Sequence, residues 1–456
     1  MKQLLYILSA MTVISTTACR KYVEIPAENV RELKYTRDYQ ALLNNSFAQL
    51  EKSYFYPLFA SDEVWTADGA VWQNNLNIIA ANSYCWLPKF FNEQQEDQDW
   101  ADLYKSMYIV NTVATEVMGS IDGTDAGKRK AYAEALVHRA FLYYTLVNIY
   151  AKQYDAATAA TDPGVPVLLS TDLFASLSRA SVAKVYDQIM NDLQEALPEL
   201  PNLPEVNTTP SKAAVFSMMA RVYLNKREFA DAGRFADSAL KLKNSLIDLN
   251  AYVSATYPTK NNDPEIIYSK AIQSFVASLP LRDETLNLFD STVDLRFSLF
   301  TRFGTQVGAA NFVNRGYFKH RLVNQGIYTG PGVPEMMLIK AESEARAGNT
   351  ANAITILNTL RKKRYTPAGY YDLAAATPQE ALVHVINERR RELMGTGMRW
   401  FDQRRLQKDP GYNFVKTVSR PFKGTIYTLE PGSPRYVFAI ADKYIKLNPE
   451  IEQNPR

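Results

Sequence analysis

NERRRELMGTGMRWFDQRR, residues 387–405, sets six arginines against Glu388, Glu392 and Asp402 and adds the Trp400-Phe401 pair. A run of charge is ordinarily a solvated face, but the residues leading into this one argue otherwise. Thr377-Pro378-Gln379-Glu380 supplies an N-cap hydroxyl, a proline at the first helical position and a capping-box glutamate, which together fix where a helix begins. In that register Leu382, Val385, Ile386 and Leu393 form one apolar stripe, and the stripe runs through Arg389 or Arg390. At least one guanidinium therefore turns inward. Arg390 is the expected one, and it must hold a carboxylate, because an unpaired buried charge costs too much to keep. Glu388, Glu392 and Asp402 are the local partners. Gly395 and Gly397 then end the helix, so that Trp400 and Phe401 fold back as an aromatic plug.

Outward from this stretch, the N-terminus has the form of a targeting segment. Residues 1–18 carry Lys2 as a short positive region and an apolar core over 4–14 that is too short to span a bilayer. Thr16, Thr17 and Ala18 lead into Cys19, the arrangement from which a lipoprotein signal peptidase releases a diacylated cysteine, although Thr16 stands where leucine is commonest. Acyl chains on Cys19 contribute ~0.8 kcal/mol per buried methylene, enough to hold the chain on a membrane without spanning it. Residues 19–36 then form a tether. Cys85 is left alone, a buried small hydrophobe rather than a nucleophile.

A net charge of +3 gives no footprint for nucleic acid, while 46% hydrophobic residues suffice for large cores. Aromatics are abundant, with 28 tyrosines. Helical periodicity predicts a first helix after Thr36 that buries Tyr39, Leu42, Leu43, Phe47 and Leu50. Further helices are expected over 98–117 and 128–150. Phe216, Met219, Ala220, Tyr223, Ala232 and Ala239 fit the tetratricopeptide spacing, in which small residues let two antiparallel helices approach closely. Ala341, Ala353 and Leu360 repeat that spacing. Arg139, Ala140 and Tyr143 resemble half of another unit, completed by 181–197. The fold class expected is mainly α: a tetratricopeptide-like scaffold of about four helix pairs, at 37–52, 98–150, 181–242 and 335–394, stacked right-handedly.

Three long insertions interrupt it, at 53–95, 154–178 and 246–334, and loops of that length are usually functional. The first holds Trp65, Trp72, Tyr84 and Trp86 among Asp62, Asp68, Asn74, Asn75 and Asn82; the third holds Arg315, Tyr317, Lys319, His320, Asn324 and Tyr328. A flat ring covers the apolar face of a pyranose while amides, carboxylates and guanidinium groups bond its hydroxyls. Trp65, Trp72, Tyr84, Trp86, Asn74, Asn75, Arg315, Tyr317 and Tyr328 are therefore the candidate ligand-binding residues. The competing reading is that these rings pack the insertions onto the helices.

Catalytic patterns mostly fail. Ser181-Val-Ala-Lys184 matches an S-x-x-K motif, but no K-T-G follows, and Ser181 is better placed as an N-cap. His138, His320 and His384 have no zinc spacing. Pairs such as Asp62-Glu63 or Asp97 and Asp99 are too common to assign glycosidase chemistry. No metal or other cofactor is expected.

Residues 387–405 resemble the C-terminal signature of the RagB/SusD family, the surface lipoproteins that partner TonB-dependent outer-membrane transporters in Bacteroidetes-type bacteria. PEMMLIKAESEARAGN at 334–349 resembles the family's L-x-x-A-E helix, and LNTLRKKR at 357–364 the helix that follows it. YIKLNPEIEQNP at 444–455 resembles its closing N-P-x-x-x-Q-N-P segment. The resemblance implies one SusD-like domain over 37–456, with ligands held by loops on the face away from the helices. It implies a non-enzymatic, lipid-anchored outer-membrane protein that captures an oligosaccharide, or a peptide, for a SusC-like transporter. A surface glycosidase or peptidase on a helical scaffold, and a periplasmic tetratricopeptide adaptor, are the alternatives. The acidic export signal usual in the family is not evident after Cys19.

Overall fold

The computed structural model describes residues 33–45, 49–272, 278–307, 312–323, 325–409 and 411–456. Cys19, the signal segment and most of the tether lie outside these residues, as do Phe47 and Asn324. The helices begin where capping chemistry places them. We label α1 (Thr36–Asn44), α2 (Gln98–Glu116), α3 (Asp125–Tyr150), α4 (Val182–Ala196), α5 (Lys212–Lys226), α6 (Phe229–Leu242), α7 (Val333–Arg346), α8 (Thr350–Arg361), α9 (Pro378–Glu392) and α10 (Met398–Leu406). Asp97, Thr124, Ser181, Ser211 and Thr377 each accept a backbone N–H from three residues on, satisfying an otherwise orphaned donor of the first turn. Ser181 and Lys184 thus meet as a cap, which disposes of the S-x-x-K motif.

The scaffold is helix on helix. α2 packs along α3 and α3 along α4; α5 pairs with α6, α6 with α7, and α7 with both α8 and α9. Ala220, Ala232, Ala239, Ala341, Ala353 and Leu360 are all buried, as the tetratricopeptide spacing requires. At Gly233 an added Cβ would lie 2.5 Å from the Ser343 Cβ, so α6 and α7 touch there almost backbone to backbone. Ala220→Leu and Ala341→Leu should each cost about 1 to 3 kcal/mol by overpacking, read as a lower denaturation midpoint at unchanged m. An unaltered midpoint in both would contradict the close-packed reading. No described helix is long and apolar enough to cross a membrane.

The stretch at 387–405 folds as two helices rather than one helix and a plug. Gly395 and Gly397 both adopt positive φ, and Gly397 is the N-cap of α10, which carries Trp400 and Phe401 into the core. The inward arginine is Arg389, not Arg390: Arg389 donates to Asp402 at 2.7 Å, whereas Arg390 is half-buried and makes no ion pair among the described residues. One residue along a helix is a turn of about 100°, and the apolar stripe could not tell the two apart.

All three expected acids are engaged, and most of the pairing is long-range. Arg405 binds Glu342 and Asp402, Arg399 binds Asp62, and Arg391 binds Glu388. Arg296 comes from outside the stretch, wholly buried, and joins Asp294, Glu388 and Glu392 at 2.7–2.8 Å. Arg364 completes the group with Glu265 and Glu392. Burial alone would push the Glu392 carboxyl up, but Arg364 and Arg296 hold it down at about 2. The charge run is therefore the polar core between helices and insertions.

The insertions are not devoid of helix, contrary to expectation. Tyr56–Ala60, Val71–Asn74 and Ile78–Tyr84 lie in the first and Leu295–Phe300 in the third. The third also supplies antiparallel strand pairs. β1 (Ala271–Ile272) pairs with β4 (Ile327–Tyr328), and β2 (Thr301–Phe303) with β3 (Arg315–Tyr317). A C-terminal hairpin, β5 (Val418–Phe422) and β6 (Thr425–Leu429), turns at Lys423-Gly424, both at positive φ as a two-residue hairpin turn favours.

Candidate functional site

The first and third insertions are knit into one layer. Trp65 N–H donates to the Pro280 carbonyl at 3.1 Å and Arg282 N–H to that of Glu63 at 2.8 Å, with Val64 opposite Leu281. The same segment pairs with β3: Leu281 N–H donates to Arg315 O at 2.9 Å and Tyr317 N–H to Leu279 O at 2.8 Å. Residues 63–65, 279–282, β3 and β2 thus lie side by side. Gly316 is needed in this weave, since a Cβ there would fall 2.9 Å from the Leu279 carbonyl oxygen. Side chains alternate between the faces of such a layer. Val64 and Leu281 point inward, and Trp65 and Arg282 share the other face.

Of the five tryptophans, Trp65 alone is not buried. Its ring has no aromatic or cation–π neighbour among the described residues. On the segment paired to it the polar groups are paired but accessible: Arg282 Nε donates to Glu284 at 2.6 Å and Asn314 Nδ2 to Asp283 at 2.8 Å. Asp62 is clasped by Arg399 at 2.8 Å through both oxygens; burial works against its charge, and Arg399 keeps the carboxyl below its ordinary range. Glu63 is different. Burial, and then Asp62, push it up to about 8, and only Gly395 N–H donates to it.

Trp72, Tyr84 and Trp86 do come together, but in the core. Trp72 meets Tyr84 edge-on at 5.3 Å, and Trp86 Nε1 donates to the Ala60 carbonyl at 2.8 Å. Arg420 of β5 lies over both the Tyr84 and Trp86 rings, 4.4 and 4.2 Å from their centroids. Its guanidinium donates to the carbonyls of Phe59, Ser61 and Tyr84. These three rings are closed to a ligand because the C-terminal hairpin pins the first insertion down on them. Asn74 and Asn75 are exposed at the end of a short helix.

The third-insertion candidates divide. Arg315 is clamped between the Phe297 and Phe303 rings at 4.4 and 4.8 Å and donates to Thr301, so its bonding is used locally and on the face away from Trp65. Tyr317 is buried and stacks on His320; Tyr328 donates to the Pro331 carbonyl at 2.6 Å. Tyr317 and Tyr328 line one cavity of about 90 Å³ with Arg221, Lys319 and Glu335. Of its acids, Glu335 pairs with Arg221 and Glu265 and Glu392 with Arg364, while Asp263 accepts the Glu265 N–H. It lies at the seam between the third insertion and the scaffold.

The remaining groups with possible chemistry are structural. Asp97 caps α2 and accepts from Tyr56 and Tyr150; Asp99 accepts the backbone N–H groups of Phe55 and Tyr56. The Cys85 thiol is buried and pushed up to about 12. Among the described residues no group of His, Cys, Asp or Glu is arranged to hold a metal ion. Sequence reasoning missed Arg282, Asp283, Glu284 and Asn314, the polar rim of Trp65; the only trace of them is the charged run Arg282-Asp283-Glu284 following Pro280.

Comparison with known proteins adds the following. Residues 25–224 match the family profile described as starch-binding associating with outer membrane, and residues 333–456 match that of the SusD family. Neither match covers residues 246–332, which carry most of the candidate surface. A SusD superfamily protein from Bacteroides thetaiotaomicron superposes with a TM-score of 0.72 at 20% identity, over 92% of this chain and 100% of that one. A SusD-like carbohydrate binding protein from Bacteroides vulgatus gives 0.67 at 21%, over 92% and 98%. A laminarin binding SusD-like protein gives 0.68 at 16%, over 93% and 100%. Comparison with curated proteins returns no match.

Proposed function

We propose, from the premise that this chain belongs to the SusD/RagB family, that it is a cell-surface binding protein, lipid-anchored through Cys19, which captures a glycan for import through a partner SusC-like, TonB-dependent barrel. One observation carries the binding half of this reading. A half-buried tryptophan ring on a layer packed against the helical scaffold, with hydrogen-bonding side chains on the segment paired to it, is a combination that suits a saccharide. The relatives named for carbohydrate or laminarin binding support the same class of ligand. The protein supplies affinity and the barrel supplies passage. Hydrolysis is disfavoured by the state of the acids: Asp97 and Asp99 are committed to caps and backbone donors, Asp62 to Arg399, and Glu63, though pushed up, is buried from solvent.

The test is retention of candidate polysaccharides on the purified protein, with the eluate examined for fragments, beside a pull-down from detergent-solubilised membranes. Retention without fragments and a co-purifying barrel are expected. Fragments would favour a surface glycosidase; retention of peptides alone would favour the peptide-binding reading. Cys19→Ala should release a folded, water-soluble protein that no longer takes up labelled fatty acid. Membrane retention of that variant after a high-salt wash would overturn the anchor.

A further inference from the structure

Where the first insertion leaves the scaffold, residues 52–56, 77–79, 95–102 and β1 enclose a cleft of about 600 Å³ that includes neither Trp65 nor its polar rim. Its walls are tied to one another. Phe55 and Tyr56 N–H both donate to Asp99 of α2, at 2.8 and 3.3 Å, and Ala271 N–H donates to the Glu51 carbonyl at 2.8 Å. Asn77 Oδ1 accepts Ala80 N–H and so caps the helix Ile78–Tyr84. Ile78 lines the cleft while 56% exposed, and Phe55 lines it half-buried, so its apolar side faces solvent. The neutral polar groups that line it are short of partners. Asn77 Nδ2, Gln95 Nε2 and the exposed Gln98 amide make no hydrogen bond among the described residues, and Ser53 Oγ is buried with none. A buried hydroxyl left so calls for a bound group or water to satisfy it. Charge, by contrast, is answered inside the protein: Lys52 pairs with Asp102 at 3.1 Å, and Asp99 holds its two backbone donors. Glu96, exposed at the rim, adds negative potential only. Apolar walls with spare amide and hydroxyl groups, and no unpaired cation among the residues lining them, suit a ligand rich in hydroxyl oxygens and without charge.

We propose that this cleft is a second saccharide site, which takes an uncharged sugar unit against Phe55 and Ile78, bonds its hydroxyls through Asn77, Gln95 and Gln98, and excludes uronic acids. This rests on the saccharide-binding reading and adds to it a second place and a charge preference. The cleft is the weaker of the two sites, because no tryptophan lines it and tryptophan is the commonest of the strong anchors.

The experiment is calorimetric titration of the purified protein with maltotriose, laminaritriose and trigalacturonate, for wild type, Ile78→Arg, Gln98→Ala and Trp65→Ala, each with its thermal melt. Wild type should bind a neutral trisaccharide in two events, one tighter and one weaker. Ile78→Arg, which sets a long cation at an exposed position of the cleft, should abolish the weaker event and leave the tighter one and the melt unchanged. Gln98→Ala should weaken that same event about threefold, the scale of one neutral hydrogen bond, and it decides the matter if Ile78→Arg melts early. Trp65→Ala should leave the weaker event alone, and trigalacturonate should never produce it. A single event that Trp65→Ala removes and both cleft variants leave intact overturns the second site while saccharide binding stands. Trigalacturonate binding that Ile78→Arg changes overturns the preference for an uncharged sugar. Binding of none of the three probes by wild type overturns the cleft, and the polysaccharide retention described above then decides saccharide binding separately.

Discussion

Arg296→Met should lower stability by about 3 to 5 kcal/mol, the cost of removing one partner from a buried ion pair. The guanidinium is fully buried and donates to both oxygens of Asp294, while reaching Glu388 and Glu392 at 2.7 and 2.8 Å. Glu388 would keep Arg391 and Glu392 would keep Arg364, so the stranded group is Asp294, itself buried. Asp294→Asn in the same chain should recover a large part of the loss, because residues in contact do not add independently. The acid response carries a second signature. Glu388 and Glu392 are held down in the folded state, Glu392 at about 2 by Arg364 and Arg296. The unfolded chain therefore binds more protons in this range, and the stability these groups contribute is present above about pH 4.5 and lost as pH falls toward about 2. Urea melts across that window should show a steep decline in wild type and a shallower one in Arg296→Met, which has less of this pairing to lose. An equal midpoint for variant and wild type at neutral pH would contradict the network.

Trp65→Ala should weaken saccharide binding by at least about 2 kcal/mol, roughly thirtyfold, because a few aromatic anchors carry most of the energy of such a surface. Its melt should barely move, since the ring is open on one side and has no ring partner. Trp86→Ala is the counterpart. That ring is buried under Arg420 and bonded to the Ala60 carbonyl, so its loss should cost about 3 to 5 kcal/mol of stability. The fraction that folds should bind normally. Titration beside thermal melts separates the two, and normal binding by Trp65→Ala would remove the ring from the site.

The scaffold was legible because its signals are local. Caps at Thr377 and Ser181 and the alanine spacing at 220, 232, 341 and 353 are read within a turn or two, and the packing follows them. Only the local partners of the arginines, Glu388 and Asp402, were legible: Glu342, Glu335 and Asp62 are separated from 387–405 by tens to hundreds of residues, and no periodicity connects them. The candidate site was half legible for the same reason. Four aromatic residues of the first insertion look alike in sequence, and what sorts Trp65 from Trp72, Tyr84 and Trp86 is pairing with residues 280–282 and coverage by residue 420. The clamp on Arg315 was hidden because Phe297 and Phe303 meet it only through the pairing of β2 with β3.

Arg420 has a kinetic meaning as well as a structural one. It closes loops of 336 to 361 residues when it reaches the carbonyls of Tyr84, Ser61 and Phe59. Contacts so distant along the chain form late, since the entropy of closing the loop must be met before they return anything. The helix pairs, joined by short connections, can assemble as they emerge. The layer bearing Trp65 has to wait for β5, near the end of the chain, before its aromatic floor is sealed. A nascent molecule would thus hold a formed scaffold while the rings of Tyr84 and Trp86 still lacked the cover of Arg420.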